Sequence, residues 1–284
     1  MKAKQRVLVV YKKSAIDTYP EFRYLPRKCD EESLKLYRAH EANAKAITEA
    51  KQFFGGCRGL VKATWRHRTL TTQGQRFDLI VALGGDGTAL EAAKRAGPNT
   101  PVVCINTAPG SSVGFYCAGN EVTDILASAL RGELSEKRLQ RMQVKIKKIV
   151  SKRVLNDILY CPVNPAATCR YTLGLEHYPY THPQRSSGIW VGTASGSTGA
   201  TLSAGGKKIS PFAGNLQFVV RELCGGPAES ALTNEVVNSV VIHNHTPDTR
   251  IYIDGPRTSV PVPVGSTITC SVSREPLTIL GFRH

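Results

Sequence analysis

Five consecutive apolar residues, Leu79-Ile-Val-Ala-Leu83, run without a spacer into Gly84-Gly85-Asp86-Gly87-Thr88. That junction constrains the fold more than any other stretch of the chain. An unbroken apolar run of this length suits a strand buried on both sides, as in a parallel sheet. The glycines lack Cβ, so other backbone can approach the turn closely. From about Thr88 to Arg95 the pattern predicts a helix, closed by Gly97-Pro98. Strand, glycine turn and helix together present backbone N–H groups and a helix N-terminus to phosphate. Asp86 is out of place in a pure phosphate cradle, because its carboxylate repels the anion. It fits a group that takes a proton from a hydroxyl or helps to place a divalent cation. The plainer alternative is a tight strand-to-helix turn with Asp86 as the N-cap. No Gly-Lys-Ser/Thr follows, so the loop is not a P-loop.

The flanking sequence extends the same pattern. Residues 6–11 read as a buried strand, 31–54 as a helix with Leu34, Tyr37, Ala44, Ile47 and Phe54 inward, and Pro101–Ile105 as another strand. Strands alternating with helices imply a parallel sheet with right-handed crossovers. After an amphipathic helix over Asn120–Leu130 the character changes. Short β-rich runs follow at 143–150, 153–160, 188–193, 215–222, 235–243, 249–254, 266–272 and 276–282, with one helix near 197–205. The expected architecture is an α/β N-terminal domain with a parallel sheet, residues 1–125, and a mainly antiparallel β domain, residues 126–284. Pattern alone leaves open whether the last strand returns to the first domain.

With 284 residues the chain is long enough for two cores. Its apolar content, 41%, excludes a disordered chain. No apolar run is long enough to span a bilayer, and the opening residues read as a first strand rather than a signal peptide. The net charge of +15 attracts polyanions: nucleic acid, anionic lipid or phosphorylated small molecules. Nine Lys or Arg between Arg131 and Arg153 face only Glu133 and Glu136. Their alternation with Val144 and Ile146 predicts a strand with one solvated basic side, leading towards Asn156-Asp157 and placed to steer nucleotides there. The sequence has no RNA-binding aromatic signature and no helix-turn-helix, so no specific nucleic acid is expected. The eight cysteines, at 29, 57, 104, 117, 161, 169, 224 and 270, form no Cys-x-x-Cys pair and read as reduced thiols of a cytoplasmic protein. His243 and His245 lack a third ligand, and no protein metal site is expected.

Two further motifs carry chemistry. Asn156-Asp157 lies within Val154-Leu-Asn-Asp-Ile-Leu-Tyr160, read as one strand. Polar residues there are costly unless paired or liganded; a strand end or bulge is the alternative. Thr193-Ala-Ser-Gly-Ser-Thr-Gly-Ala-Thr-Leu-Ser-Ala-Gly-Gly206 combines small residues that permit close approach with hydroxyls that can donate. Gly-Gly-Asp-Gly-Thr resembles the signature shared by NAD kinases, diacylglycerol and sphingosine kinases and, more distantly, 6-phosphofructokinases. With the Asn-Asp pair and the Thr193–Gly206 block, which is similar to Thr-Pro-Thr-Gly-Ser-Thr-Ala-Tyr-x-x-Ser-Ala-Gly-Gly, the chain resembles the NAD kinase family. Ile253-Asp254-Gly255 is similar to the late Asp-Gly turn of that family. Arg185-Ser-Ser187-Gly188 stands where the family usually has Arg-Ala-Asp-Gly, and Gly199-Ala200 replaces Ala-Tyr. Val113-Gly114-Phe115 stands for Leu-Gly-Phe. The Ser-Ser-Gly, the absent Tyr and the early Tyr19-Pro20 resemble the plant-type NADH kinase branch.

The resemblance implies ATP-dependent phosphorylation of the adenosine-ribose 2′-hydroxyl of NAD+ or NADH. Asp86 would be catalytic. Gly84, Gly85, Gly87 and Thr88 would hold phosphates, and Asn156 and Asp157 ribose hydroxyls. Ser187, Thr193, Gly196, Ser197, Thr198, Ser203 and Asp254 would line the nucleotide sites. It further implies Mg2+ carried with ATP, a homodimer or higher homo-oligomer in which Arg185 can reach across a subunit contact, and good acceptance of NADH. The last follows from Ser187, an alcohol where relatives place a carboxylate near the nicotinamide end. A lipid kinase of the diacylglycerol or sphingosine type and a non-catalytic nucleotide-binding regulator are the alternative functions.

Overall fold

A computed structural model describes residues 5–19, 21–22, 31–56, 59–66, 76–176, 183–225 and 233–283. Pro20, Cys29 and Cys57 lie outside the described residues. The chain divides into two compact units, Met1–Lys137 with Thr278–His284, and Arg138–Leu277. The first contains β1 (Gln5–Tyr11), α1 (Ala15–Thr18), α2 (Glu31–Gly55), β2 (Gly59–Trp65), β3 (Leu79–Leu83), α3 (Asp86–Arg95), β4 (Val102–Ile105) and α4 (Val122–Arg131); β5 (Glu136–Leu139) spans the boundary. The second contains β6 (Met142–Ile146), β7 (Ile149–Val154), β8 (Asp157–Pro162), β9 (Cys169–Leu175), β10 (Gln184–Ser186) and β11 (Gly188–Thr193). A 3₁₀ turn (Ser195–Thr198), α5 (Ala200–Ser203), β12 (Leu216–Arg221), β13 (Asn234–Val237), β14 (Ser239–Asn244), β15 (Thr249–Ile253), β16 (Ser259–Val262) and β17 (Thr267–Val272) follow. β18 (Leu277–Leu280) then joins the first sheet.

In the first unit the sheet order is β2-β1-β3-β4-β18-β5. The pairs β1–β2, β1–β3, β3–β4 and β4–β18 are all parallel. Every residue of β3 and β4 is buried, as a sheet covered on both sides requires. Ala46, Ala50 and Phe54 of α2 and Val122, Ile125 and Leu126 of α4 pack with Val7, Val9, Leu79, Val81 and Val103. That packing keeps α4 in the first unit, so the division falls after Lys137 rather than near 125. The inward side of α2 also differs from the expected one. Leu34 and Ala44 are exposed, while Ser33, Asn43, Ala46, Ala50 and Phe54 are buried. Asn43 tolerates burial because its Nδ2 donates to the Lys12 carbonyl (2.9 Å) and its Oδ1 accepts from Thr107 Oγ1 (2.8 Å).

The second unit has two antiparallel six-stranded sheets, β10-β9-β14-β17-β6-β7 and β13-β12-β11-β8-β15-β16. Both contribute to one core: Val144, Tyr171, Leu173, Ile242 and Ile268 from one sheet, Ile158, Tyr160, Val191, Phe218 and Ile251 from the other. Alternating burial along β14 and β15 is what sheets buried on one side produce. Several runs expected as single strands are divided. The 143–150 run is a β6–β7 hairpin turning at Lys147-Lys148, and 235–243 splits at Asn238 into strands of different sheets. β16 went unread because it contains Pro261, which an edge strand tolerates. In the basic run β6 alternates buried Val144 and Ile146 with exposed Lys145 and Lys147 as expected, but other members of the run are not solvated. Arg141 is fully buried, its Nε donating to the Glu275 carbonyl (2.5 Å) and its Nη2 to that of Pro276 (3.2 Å). Arg153 pairs with Glu275 and Arg131 with Glu133. Among the described residues no helix is long and apolar enough to cross a membrane.

Candidate functional site

Each unit brings one group of the expected residues together. In the first, β3 delivers the chain to Gly84, whose N–H donates to the Ile105 carbonyl (2.9 Å). Gly84 has φ +148°, and a Cβ there would collide with the Thr88 side chain. Gly85, not Asp86, is the N-cap of α3, so the helix begins two residues earlier than expected. Asp86 is its first residue. Its N–H donates to the Val113 carbonyl (3.0 Å), and its Oδ1 accepts from the Tyr116 N–H (3.1 Å). The loop after β4 therefore fixes Asp86 from both ends, while the residue stays half-exposed. Gly87 is exposed; Thr88 is fully buried, and its Oγ1 has no hydrogen-bond partner among the described residues. Asn106 braces the same loop, its Oδ1 accepting from Ser112 Oγ (2.8 Å) and its Nδ2 donating to the Ser112 carbonyl (3.1 Å). Cys117 donates to the Gly84 carbonyl through sulfur (3.6 Å). Burial first, then the Asp86 charge, push the Cys117 thiol up to about 12, so it is neutral and unreactive at ordinary pH.

In the second unit Asn156 is not within a strand. Leu155 and Asn156 form a bend between β7 and β8, and Asp157 is the first residue of β8. The bend is held by Asp254, whose carboxylate accepts from the backbone N–H groups of Leu155 (3.1 Å), Asn156 (2.7 Å) and Asp157 (3.3 Å). The Asp254 N–H donates to the Asp157 carbonyl (2.9 Å), with Asp254 at φ +47°. Asp254 therefore acts on the site through the backbone of 155–157. Asp157 is buried; that burial, and then the neighbouring Asp254 carboxylate, push its carboxyl up to about 7.

The 193–206 block packs against this bend. The hydroxyls of Thr193 and Ser195 both donate to the Leu155 carbonyl, and the Thr193 N–H donates to that of Asn156 (2.8 Å). Gly196 has to be glycine, because any Cβ would collide with the Asn156 backbone. Ser197 is fully buried and engaged with Ile209, accepting from its N–H (3.0 Å) and donating to its carbonyl (3.2 Å). Thr193 and Ser197 thus shape the loop with their hydroxyls. Thr198 and Ser203 are exposed, and Ser203 Oγ donates to the Gly199 carbonyl (3.4 Å). Ser187 is half-buried between β10 and β11, its N–H on the Arg221 carbonyl (3.1 Å).

Asn106, Tyr116, Ser195 and Leu155 were missed as site-building residues. Three of these act through backbone groups or short polar side chains in loops and carry no signature by type. Ser195, inside a hydroxyl-rich block, did carry one. Among the described residues no three His, Cys, Asp or Glu side chains gather as a cation cage. The glycine turn offers one carboxylate, a donor set that fits a magnesium ion held mainly by a nucleotide's phosphates and by water.

A parallel α/β unit whose third strand ends in a Gly-Gly-Asp-Gly-Thr turn, with an antiparallel unit carrying a buried Asp-braced bend, resembles the class of small-molecule kinases built around this turn. Residues 6–133 match the family model described as the ATP-NAD kinase N-terminal domain. A probable NADH kinase of Oryza sativa subsp. japonica is 28% identical over 220 residues, covering 68% of each chain. Two solved structures share the fold. An NAD kinase from Archaeoglobus fulgidus in complex with ATP has TM-score 0.67 at 22% identity and covers 98% of this chain and 93% of its own. Yeast NADH kinase complexed with NADH has TM-score 0.70 at 17% identity, covering 98% and 84%. The family model thus matches the N-terminal part of the chain, and the relatives and structures the chain is similar to are NAD and NADH kinases.

Proposed function

We propose that this protein is an NAD(H) kinase: it uses ATP to phosphorylate the adenosine-ribose 2′-hydroxyl of NAD+ or NADH, giving NADP(H). One observation carries the reading above the others: Asp86 stands half-exposed at the start of α3, fixed through its own N–H and through Tyr116, within the segment that matches the family model. Phosphoryl transfer asks for positioning and charge stabilisation rather than covalent chemistry. Exposed Gly87 leaves backbone open to phosphate, while buried Gly84 and Gly85 let Thr88 and the Val113 loop close on the turn and shape it for that anion. Asp86 accepts the proton of the attacking 2′-hydroxyl. Asn156 and Asp157 hold ribose hydroxyls on a bend kept in shape by Asp254 and Thr193, while exposed Thr198 and Ser203 are available to the nucleotide. Mg2+ carried by the ATP phosphates and water, beside the Asp86 carboxylate, would supply charge neutralisation on the transferred phosphoryl group.

The reading is tested by incubating the protein with ATP, Mg2+ and NAD+ or NADH and assaying NADP(H), with diacylglycerol as the competing acceptor. Asp86→Asn is expected to lower kcat roughly 10²–10⁴-fold while circular dichroism and Tm stay at wild-type values. Turnover near wild type would remove Asp86 from the role. Ser187 supports efficient use of NADH, since it places no carboxylate to favour the cationic oxidised ring. Ser187→Asp should shift kcat/KM towards NAD+, by roughly fivefold for one screened charge of about 1 kcal/mol. An unchanged ratio would refute the assignment. We place the protein in the cytoplasm, its thiols reduced, as a homodimer or higher homo-oligomer. Sedimentation of the purified enzyme checks the latter.

A further inference from the structure

The glycine turn itself carries no positive side chain, yet its proposed ligand is a polyanion. The parallel order β2-β1-β3 brings the C-terminal ends of β1 and β2 close to it. Lys12 follows β1, and its Cβ lies 3.1 Å from where a Cβ of Gly84 would stand. Arg66 follows β2, and its Nη1 lies 3.0 Å from the corresponding position at exposed Gly87. Both cations rest on pinned backbone. The Lys12 N–H donates to the Leu83 carbonyl (3.0 Å), and its own carbonyl accepts from Asn43. The Arg66 N–H donates to the Tyr11 carbonyl (2.9 Å), and its carbonyl accepts from Arg95 Nη2 (3.1 Å).

The Lys12 ammonium is half-buried and has no hydrogen bond or ion pair with any described residue. It also lines a cavity of about 350 Å³ whose wall, besides Asn43 and Thr107, holds one carboxylate, Glu32, already paired with Lys35 (3.0 Å). A half-buried cation without a carboxylate, set near a second cation, is an unfavourable arrangement for the protein alone. Its burial and the Arg66 guanidinium hold the Lys12 ammonium below its ordinary range. An incoming anion relieves both effects. The orphaned Oγ1 of Thr88, buried under Gly84, adds a second unmet polar group at the same turn. We infer that Lys12 and Arg66 form a two-cation clamp for the phosphate chain of the phosphoryl donor, supplying the charge that the Gly84–Thr88 loop lacks. This deepens the kinase reading and rests on it. It assigns the clamp to the donor and not to the dinucleotide.

The test uses Lys12→Met, Lys12→Arg and Arg66→Met in steady-state kinetics, with calorimetric binding of inorganic tripolyphosphate to the same proteins. Each Met variant should raise KM for ATP roughly tenfold or more, the scale of one charge-assisted contact, with KM for NADH unchanged. Lys12→Arg should recover most of the loss. Tripolyphosphate should compete with ATP in the wild type and bind more weakly to both Met variants. A KM for ATP within twofold of wild type, or equal rises for ATP and NADH, would overturn the clamp. Tripolyphosphate binding that needs neither cation would overturn it as well. Wild-type protein that binds tripolyphosphate through Lys12 and Arg66 but makes no NADP(H) would sink the kinase reading and leave the phosphate clamp standing.

Discussion

Asp254 and Asp157 are two carboxylates in one buried corner with opposite duties. Asp254 accepts from three backbone N–H groups. Asp157 sits buried beside that charge and rises to about 7. Because the folded value lies above the unfolded one, the Asp157 contribution to stability is complete below about pH 4 and is lost as pH rises through about 7. Asp157→Asn should therefore flatten the decline in stability between those limits. It should also raise stability at pH 8, on the order of a few kcal/mol, while weakening dinucleotide binding. Urea denaturation across pH 4–8 reads the first effect and KM for NADH the second. A parallel offset with no change in slope would mean that Asp157 does not titrate differently on folding. Asp254→Ala should act otherwise: three amides lose their acceptor, and both Tm and activity fall. At this scale the sequence singled out these polar residues but not the backbone contacts they make. Thr193, Ser197 and Asp254 were legible as polar groups in the Thr193–Gly206 block and the Asp254-Gly255 turn. That their polar atoms bind backbone follows from tertiary approach, which no local pattern encodes.

Among the elements, the junction of β3 and α3 was the most legible, because its constraints are local: an unbroken apolar strand and glycines that must be glycine. Gly85 makes the point quantitatively. Its conformation is ordinary, but a Cβ would stand 2.5 Å from the Val113 carbonyl and 3.0 Å from Ser112. Those atoms belong to the loop that fixes Asp86, so Gly85→Ala must displace it. The expected cost is about 1–3 kcal/mol, with kcat falling further than stability alone explains. Gly55→Ala, where nothing lies within 4 Å of the new Cβ, serves as the control and should be neutral or slightly stabilising. Thermal melts and kcat for the pair separate overpacking from a general glycine effect. Equal melts would show that the Val113 loop yields freely. Elements fixed by distant partners were harder to read. α2 turned a different side inward because small residues at 46 and 50 let it approach the sheet and because Asn43 finds two partners. The bend at Leu155-Asn156 is created by Asp254, about a hundred residues away along the chain.

Over the whole molecule, the net charge of +15 proved less a single surface property than several local ones. Arg141 is a core side chain capping carbonyls, Arg131 and Arg153 are paired with glutamates, and Lys12 and Arg66 converge on the glycine turn. The sequence showed the excess, but only the strand order tells which cations meet. The same order explains how residues near 280 bear on Asp86. After leaving the second unit, β18 pairs with β4 through Ile279 and Leu280, and the chain then places Phe282 in the first unit. The Phe282 ring lies 5.4 Å from that of Phe115, edge to face, and stacks at 6.4 Å on Tyr116. Tyr116 is also the residue whose N–H holds the Asp86 carboxylate. Phe282→Ala should therefore remove a buried aromatic, costing roughly 3–5 kcal/mol, and loosen the support of Asp86 as well. Its kcat, measured well below the lowered Tm, should fall, while Phe282→Leu should recover most stability and part of the activity. A Phe282→Ala protein that melts early but turns over at the wild-type rate would confine the residue to stability. It would then leave the Tyr116–Asp86 hydrogen bond independent of the ring stack beside it.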